Sequence, residues 1–181
     1  MIVSAVADSI DQHIAYWSQQ VPDLDVHVEG AITRMQGLVR LLWRRREAGL
    51  DARDLKGWEY DILWRVRSVG PPYQVSPTWL AKALDTHPAT LTSRLERLEK
   101  TGHLTRIHDP ADRRRLLVEL TDLGHRSWEA TIEDQAANEH ELLAVLTDSE
   151  RKQLSDLLRK VVTAAEQDGP PLMPPVEHGR P

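Results

Sequence analysis

Apolar residues recur every three or four positions along most of this chain, a spacing that predicts helices packed over a shared core. Ile10, Ile14 and Trp17 fall on one face of a first helix, which Asp8 or Ser9 caps and which reaches about Gln20. A second helix from about His27 to Ala48 carries Ile32, Met35, Leu38, Val39, Leu42 and Trp43 at helical spacing, with Gly49-Leu50 as its expected stop. A third spans about Leu55 to Val69 with Trp58, Ile62, Leu63 and Val66 inward, and Gly70-Pro71-Pro72 breaks it.

The pattern then shortens. Ser76-Pro77 is a cap followed by proline at the first helical position, opening a helix to about Leu84. Pro88 repeats the device, and a fifth helix with Leu91, Leu95 and Leu98 inward stops at Gly102. Two short helices joined by so tight a link predict a helix-turn-helix. Leu104 to Ile107 and Leu116 to Leu120 read as a two-stranded hairpin around a turn rich in Asp, Pro and Arg. Thr121 caps a long helix to about Leu146. Thr147-Asp148-Ser149-Glu150 is a capping box for the last helix, whose stripe is Leu154, Leu157, Leu158, Val161 and Val162.

The fold class expected is mainly α with a small β hairpin, a winged helix-turn-helix with a helical dimerisation region. The expected organisation is amino-terminal helices over 1–48, a winged unit over 49–120, carboxy-terminal helices over 121–168 and a disordered tail over 169–181, where five prolines fall in 13 residues. The terminal helices are too few to bury their apolar faces within one chain. A homodimer interleaving the first helices with the last two would cover them.

Charge sharpens this picture. Residues 1–30 carry net −5, residues 31–126 net +6 and residues 127–181 net −6. A basic middle between acidic ends fits a polyanion-binding module. Arginine supplies 18 of the 23 bases, which favours fork-like contacts to phosphate or guanine, a bias that genomic base composition would also produce. The absence of cysteine excludes a disulfide scaffold, a thiol nucleophile and thiolate metal sites. No apolar run approaches the roughly 20 residues of a membrane helix. Met1 to Ala7 is too short and too poor in basic residues for a signal peptide, so a cytoplasmic location without membrane partners is expected.

On the fifth helix, Thr90, Ser93, Arg94 and Arg97 lie away from the leucine stripe and are placed to face a major groove. Arg97 would donate to guanine O6 and N7. The bland alternative is a solvated face on which Glu96 and Glu99 balance the arginines. The hairpin weighs against it: Asp109-Pro110-Ala111-Asp112 makes a tight turn and Arg113, Arg114 and Arg115 follow at the start of the return strand. Strand alternation would point Arg113 and Arg115 one way, towards phosphate or a minor groove, leaving Arg114 to pair with Asp109 or Asp112.

Residues from about 31 to 165 resemble the MarR family of winged-helix transcriptional regulators. The resemblance rests on Leu80-Ala81 through Arg94-Leu95-Glu96-Arg97-Leu98-Glu99-Lys100-Thr101-Gly102-His103-Leu104, on the wing signature Arg106-x-x-Asp109-Pro110-x-Asp112-Arg113-Arg114, and on Leu120-Thr121-x-x-Gly124. It implies a homodimer on palindromic double-stranded DNA; Arg106 joins the DNA-contacting set by its place in the hairpin. Tyr16-Trp17-Ser18, Glu59 to Trp64 and the Gly70-Pro71-Pro72-Tyr73 turn are similar to a urate- and aconitate-responsive branch with an extra amino-terminal helix. That likeness implies a ligand pocket of Trp17, Asp61, Lys82 and Arg94 for a small anion such as urate, aconitate or an aromatic acid. Lys82 stands where that branch has arginine, and His87 to Leu91 departs from its usual turn.

Asp61 would hold the pocket cation, Arg94 or Lys82, ready for the ligand. Blander readings pair it with Arg65 at i, i+4 and leave Trp17 to pack an interface. The eight histidines form no metal-ligand spacing, and neither a phosphate loop nor a nucleophile context occurs, so no metal, cofactor or enzymatic activity is expected. The rival to a ligand-responsive repressor is a helical protein-interaction adaptor with a degenerate winged domain.

Overall fold

The structure, a computed structural model, describes residues 7–172; most of the tail expected to be disordered lies outside the described residues. The elements in chain order are α1 (Ser9–Gln20), α2 (Val26–Asp51), α3 (Gly57–Ser68), β1 (Gln74–Val75), α4 (Pro77–Ala83), α5 (Pro88–Lys100), β2 (Leu104–His108), β3 (Leu116–Leu120), α6 (Asp122–Leu143) and α7 (Asp148–Gln167). The chain divides into two compact units, residues 1–45 and 46–181. This boundary falls inside α2, a few residues ahead of the one expected, and the carboxy-terminal helices belong to the second unit.

In the first unit, Asp8 caps α1 by accepting from the backbone N–H groups of Ile10 and Asp11, both at 2.9 Å. The Asp11 carboxylate closes the box on the Asp8 N–H. Arg34 of α2 then spans both acids, 2.8 Å from Asp8 and 2.6 Å from Asp11, so a single guanidinium ties α1 to α2. Those hydrogen bonds hold the Asp8 carboxyl below the usual carboxylate range and push Arg34 further up. No residue of α1 is buried.

In the second unit, Ile62, Leu63 and Val66 of α3 meet Leu80 and Ala81 of α4, Leu91, Leu95 and Leu98 of α5, and Leu104, Val118 and Leu120 of the sheet. A smaller cluster joins Leu50, Leu55 and Tyr60 to Trp64 and Trp128. Gly49 does not stop α2 as expected. Leu50 is fully buried, and the helix continues to Asp51 because that burial outweighs the roughly 1 kcal/mol that glycine costs a helix. Beyond Asp51 the chain turns at Asp54, whose φ of 53° is left-handed.

The sheet has three strands, in the order β1-β3-β2, where the hydrophobic pattern predicts two. β1 is only two residues long, too short for alternation to show, and pairs Gln74 with Glu119 and Val75 with Val118. β2 and β3 form the expected antiparallel hairpin, from Leu104 opposite Leu120 to His108 opposite Leu116. Gly102, at φ 80°, ends α5 as expected, and its N–H donates to the Glu99 carbonyl. Thr121 caps α6, which ends at Leu143, three residues before the expected limit. The capping box of Thr147 and Glu150 opens α7 as predicted.

Candidate nucleic-acid interface

α4 and α5 are joined through Leu84 to His87, where Asp85 takes a φ of 45° and the Thr86 N–H donates to the Ala81 carbonyl at 2.9 Å. His87 caps α5 with its Nδ1, which accepts from the Ala89 N–H at 3.2 Å; its ring proton therefore sits on Nε2. With Leu91, Leu95 and Leu98 buried, Thr90, Ser93 and Arg97 are left exposed along α5 and Arg94 half-buried. The Ser93 hydroxyl donates to the Thr90 carbonyl at 2.9 Å and keeps its lone pairs for other donors.

The two arginines of this stripe are held from the start of α3. Arg94 lies over Trp58, 5.2 Å from the ring centroid. Arg97 donates through Nε to Oε1 of Glu59 at 2.5 Å. The Glu59 side chain is only 1% exposed, whereas that of Arg97 is 48% exposed. The other Glu59 oxygen, Oε2, accepts from the Lys56 N–H at 2.7 Å. Bonding to Glu59 pushes the Arg97 guanidinium further up from its already high pKa. Glu59 opens the Glu59 to Trp64 segment of the branch resemblance, but that motif assigns it no role. The available signal is its place on the inward stripe with Ile62, Leu63 and Val66, where a carboxylate requires a buried partner.

The wing is ordered by its own acids. Asp109 Oδ1 accepts from the Ala111 N–H at 2.8 Å, and Asp112 Oδ1 accepts from the Arg114 N–H at 3.0 Å. The Asp109 N–H donates to the Arg115 carbonyl at 3.0 Å and closes the tip. His108 Nδ1 lies 2.9 Å from the Arg113 carbonyl, which only accepts, so that nitrogen carries a proton. All three arginines precede β3 in the turn, so the strand alternation expected for them does not apply. Arg115, not Arg114, pairs with Asp112, at 3.6 Å. Arg113 and Arg114 are exposed and have no carboxylate within ion-pair distance among the described residues. Arg106 is half-buried and lies 3.6 Å from Glu99, which ties β2 to α5.

Asp61, Lys82 and Arg94 of the expected ligand pocket, all in the second unit, have separate surroundings. Trp17 belongs to the first unit, exposed and in edge-on contact with Tyr16 at 5.5 Å. Asp61 accepts from Arg46 at 2.6 Å, so neither Lys82, Arg94 nor Arg65 is its partner. Arg65 donates instead to the Ala83 carbonyl at 3.1 Å. Lys82 is exposed beside a shallow groove with Thr78, Asp85, Thr86 and His87. Among the described residues no cluster of three or more His, Asp or Glu could hold a metal ion, and no helix is long and apolar enough to cross a membrane.

The MarR family profile matches residues 53–115, from the end of α2 through the wing tip. Over 156 residues the chain is 34% identical to HTH-type transcriptional regulator PecS of Dickeya dadantii, covering 86% of this chain and 92% of that one. Wild-type MarR of E. coli is similar in structure, with a TM-score of 0.57 and 27% identity over 70% of this chain and 95% of that one. The fold is also that of a Staphylococcus aureus MepR mutant bound to an oligodeoxyribonucleotide, with a TM-score of 0.62 and 20% identity over 75% and 97% of the two chains.

Proposed function

Because this chain belongs to the MarR family of DNA-binding, winged-helix transcriptional regulators, we propose that it acts as a homodimeric repressor, bound to a palindromic operator and released by a small anionic metabolite. The observation that supports the homodimer best is α7. Its stripe is strongly apolar, yet Leu157 is 57% and Val161 60% exposed and no residue of the helix is buried. A second copy of the chain is the occupant that closed symmetry supplies.

In such a dimer each α5 enters a major groove, at half-sites about one helical turn apart, roughly 34 Å. Thr90, Ser93, Arg94 and Arg97 approach base edges and nearby phosphates, and Arg106, Arg113, Arg114 and Arg115 serve the wing. The exposed pair at the tip, Arg113 and Arg114, supplies affinity that salt must erode.

The effector reading rests on the resemblance of Trp17, Asp61 and Arg94 to the urate- and aconitate-responsive branch. Lys82 offers a point charge in place of a planar fork, which suits a compact carboxylate such as aconitate, or an aromatic acid, as well as urate. The ligand must bind the DNA-free form more tightly than the DNA-bound form, since equal binding shifts nothing. Gel-shift titration on the DNA upstream of the chain's own reading frame, against urate, aconitate, citrate and aromatic acids, tests this. Release by one acid at concentrations where the others fail is the expected result, and no release by any of them removes the effector reading.

A further inference from the structure

α3 opens with alternating aromatic and acidic residues, Trp58, Glu59, Tyr60 and Asp61, and each pair engages arginine. Tyr60 and Asp61 take Arg46, while Trp58 and Glu59 take Arg94 and Arg97 of α5. The second grip differs in kind. Glu59 is 1% exposed, a buried carboxylate whose two oxygens are both committed, one to the Lys56 N–H and one to Arg97 Nε. Burying a carboxylate is costly unless it is paired and hydrogen-bonded, so the fold itself requires Arg97 at this spot.

The bond to Nε fixes the inner side of the guanidinium. The two terminal nitrogens remain, and the side chain keeps 48% of its exposure on the same α5 stripe as Thr90 and Ser93. A two-donor edge held in one orientation matches O6 and N7 of guanine, and its rotamer freedom is spent at folding, not at binding.

We infer that Glu59 is a positioning residue for DNA recognition: by holding Arg97 through Nε it aims the outer edge of that guanidinium at a guanine in each half-site. The inference rests on the reading of Arg97 as a base contact and adds the group that orients it. Glu59 itself touches no DNA.

The test uses the full chain and a random-sequence duplex library, from which wild type and variants select their sites. Glu59→Gln removes the charge and keeps the size. Arg97→Lys keeps a cation for Glu59 and discards the fork. Wild type should select a motif with a guanine in each half-site, and both variants should lose roughly tenfold of the preference at that one base pair. Affinity for random duplex, its salt slope and the cooperativity of thermal unfolding should stay as in wild type. A Glu59→Gln profile like wild type, while Arg97→Lys relaxes the guanine, overturns the inference and leaves the Arg97 reading intact. If Glu59→Gln fails to fold, Glu59→Asp decides, since it keeps the charge but is one methylene too short to hold Nε in the same place: a guanine preference retained at the wild-type level overturns the inference. A wild-type chain that selects no motif defeats the operator reading itself, and this inference with it.

Discussion

Arg46 closes on Asp61: its Nη2 donates to Oδ1 at 2.6 Å while its guanidinium lies 5.0 Å from the Tyr60 ring centroid. Burial pushes the Tyr60 hydroxyl up from its ordinary pKa, with Arg46 drawing it down and Asp61 adding to the rise. Asp61 is 54% exposed, so the pair contributes little to stability against water and salt. Asp61→Asn should therefore shift the unfolding free energy by less than about 1 kcal/mol. It should nevertheless blunt effector-induced release from DNA. Urea melts and gel shifts on the same preparation check both halves.

Gly124 reverses the usual sign of a glycine substitution in a helix. Alanine there gains up to about 1 kcal/mol of helix propensity. A Cβ at this position, however, would lie 2.2 Å from the His103 carbonyl oxygen, and that backbone has no room to retreat because the same oxygen takes the Thr121 hydroxyl and N–H. Gly124→Ala should destabilise the chain by ~1–3 kcal/mol, read as a lowered denaturation midpoint. An unchanged or raised midpoint would show that the α6 start can slide.

The wing tip should contribute affinity without reading sequence. Removing Arg113 or Arg114 by Ala substitution should weaken binding on all duplex sequences alike and reduce the slope of log affinity against log salt by about 0.9 for each phosphate left without its arginine. Asp112→Ala removes the acceptor of the Arg114 N–H and the partner of Arg115, so it should also weaken binding although it deletes a negative charge. Tighter binding by Asp112→Ala would mean that net charge, not loop order, governs the wing.

His103 gives the chain an acid sensitivity. Burial holds its pKa below the ordinary 6.5, with Glu59 pulling the other way. The unfolded chain therefore takes up the proton first as pH falls, and its contribution to stability is complete above about pH 6.5 and declines below it. His103→Gln should flatten that decline. Denaturant melts at steps between about pH 5 and pH 7.5 measure it.

Val161→Asp should yield a folded monomer. The position is 60% exposed on a helix with no buried residue, so the substitution costs the single chain little, but it places a charge inside the proposed dimer contact. Light scattering with far-ultraviolet circular dichroism separates dissociation from unfolding.

Helix starts were legible in the sequence because they are local. Asp8, Ser76, Thr121 and Thr147 each bond a backbone N–H two or three residues away, a reach that spacing alone predicts. β1 was not legible, since its pairing with Glu119 and Val118 crosses 45 and 43 positions and its two residues show no period. The interface divides in the same way. The α5 stripe and the wing arginines stand out as motifs, whereas the bond from Arg97 to Glu59 spans 38 positions and depends on how α3 packs on α5. Arg65 was the nearest cation to Asp61 along the helix, and Arg46 replaced it because the end of α2 folds back alongside α3.

The loop between β2 and β3 has a further property that a tally of its residues hides. Two acids and three bases nearly cancel on paper, yet each aspartate turns an oxygen towards peptide N–H groups of its own loop, and only Arg115 draws on what remains. An approaching sugar-phosphate rail would meet the exposed guanidinium groups of Arg113 and Arg114, while the carboxylates stay turned to their own loop, on a molecule whose overall charge repels it. The same economy makes the tip brittle: lengthening this loop by one residue would free the carboxylates to turn outward, and attraction would fade with every arginine still in place.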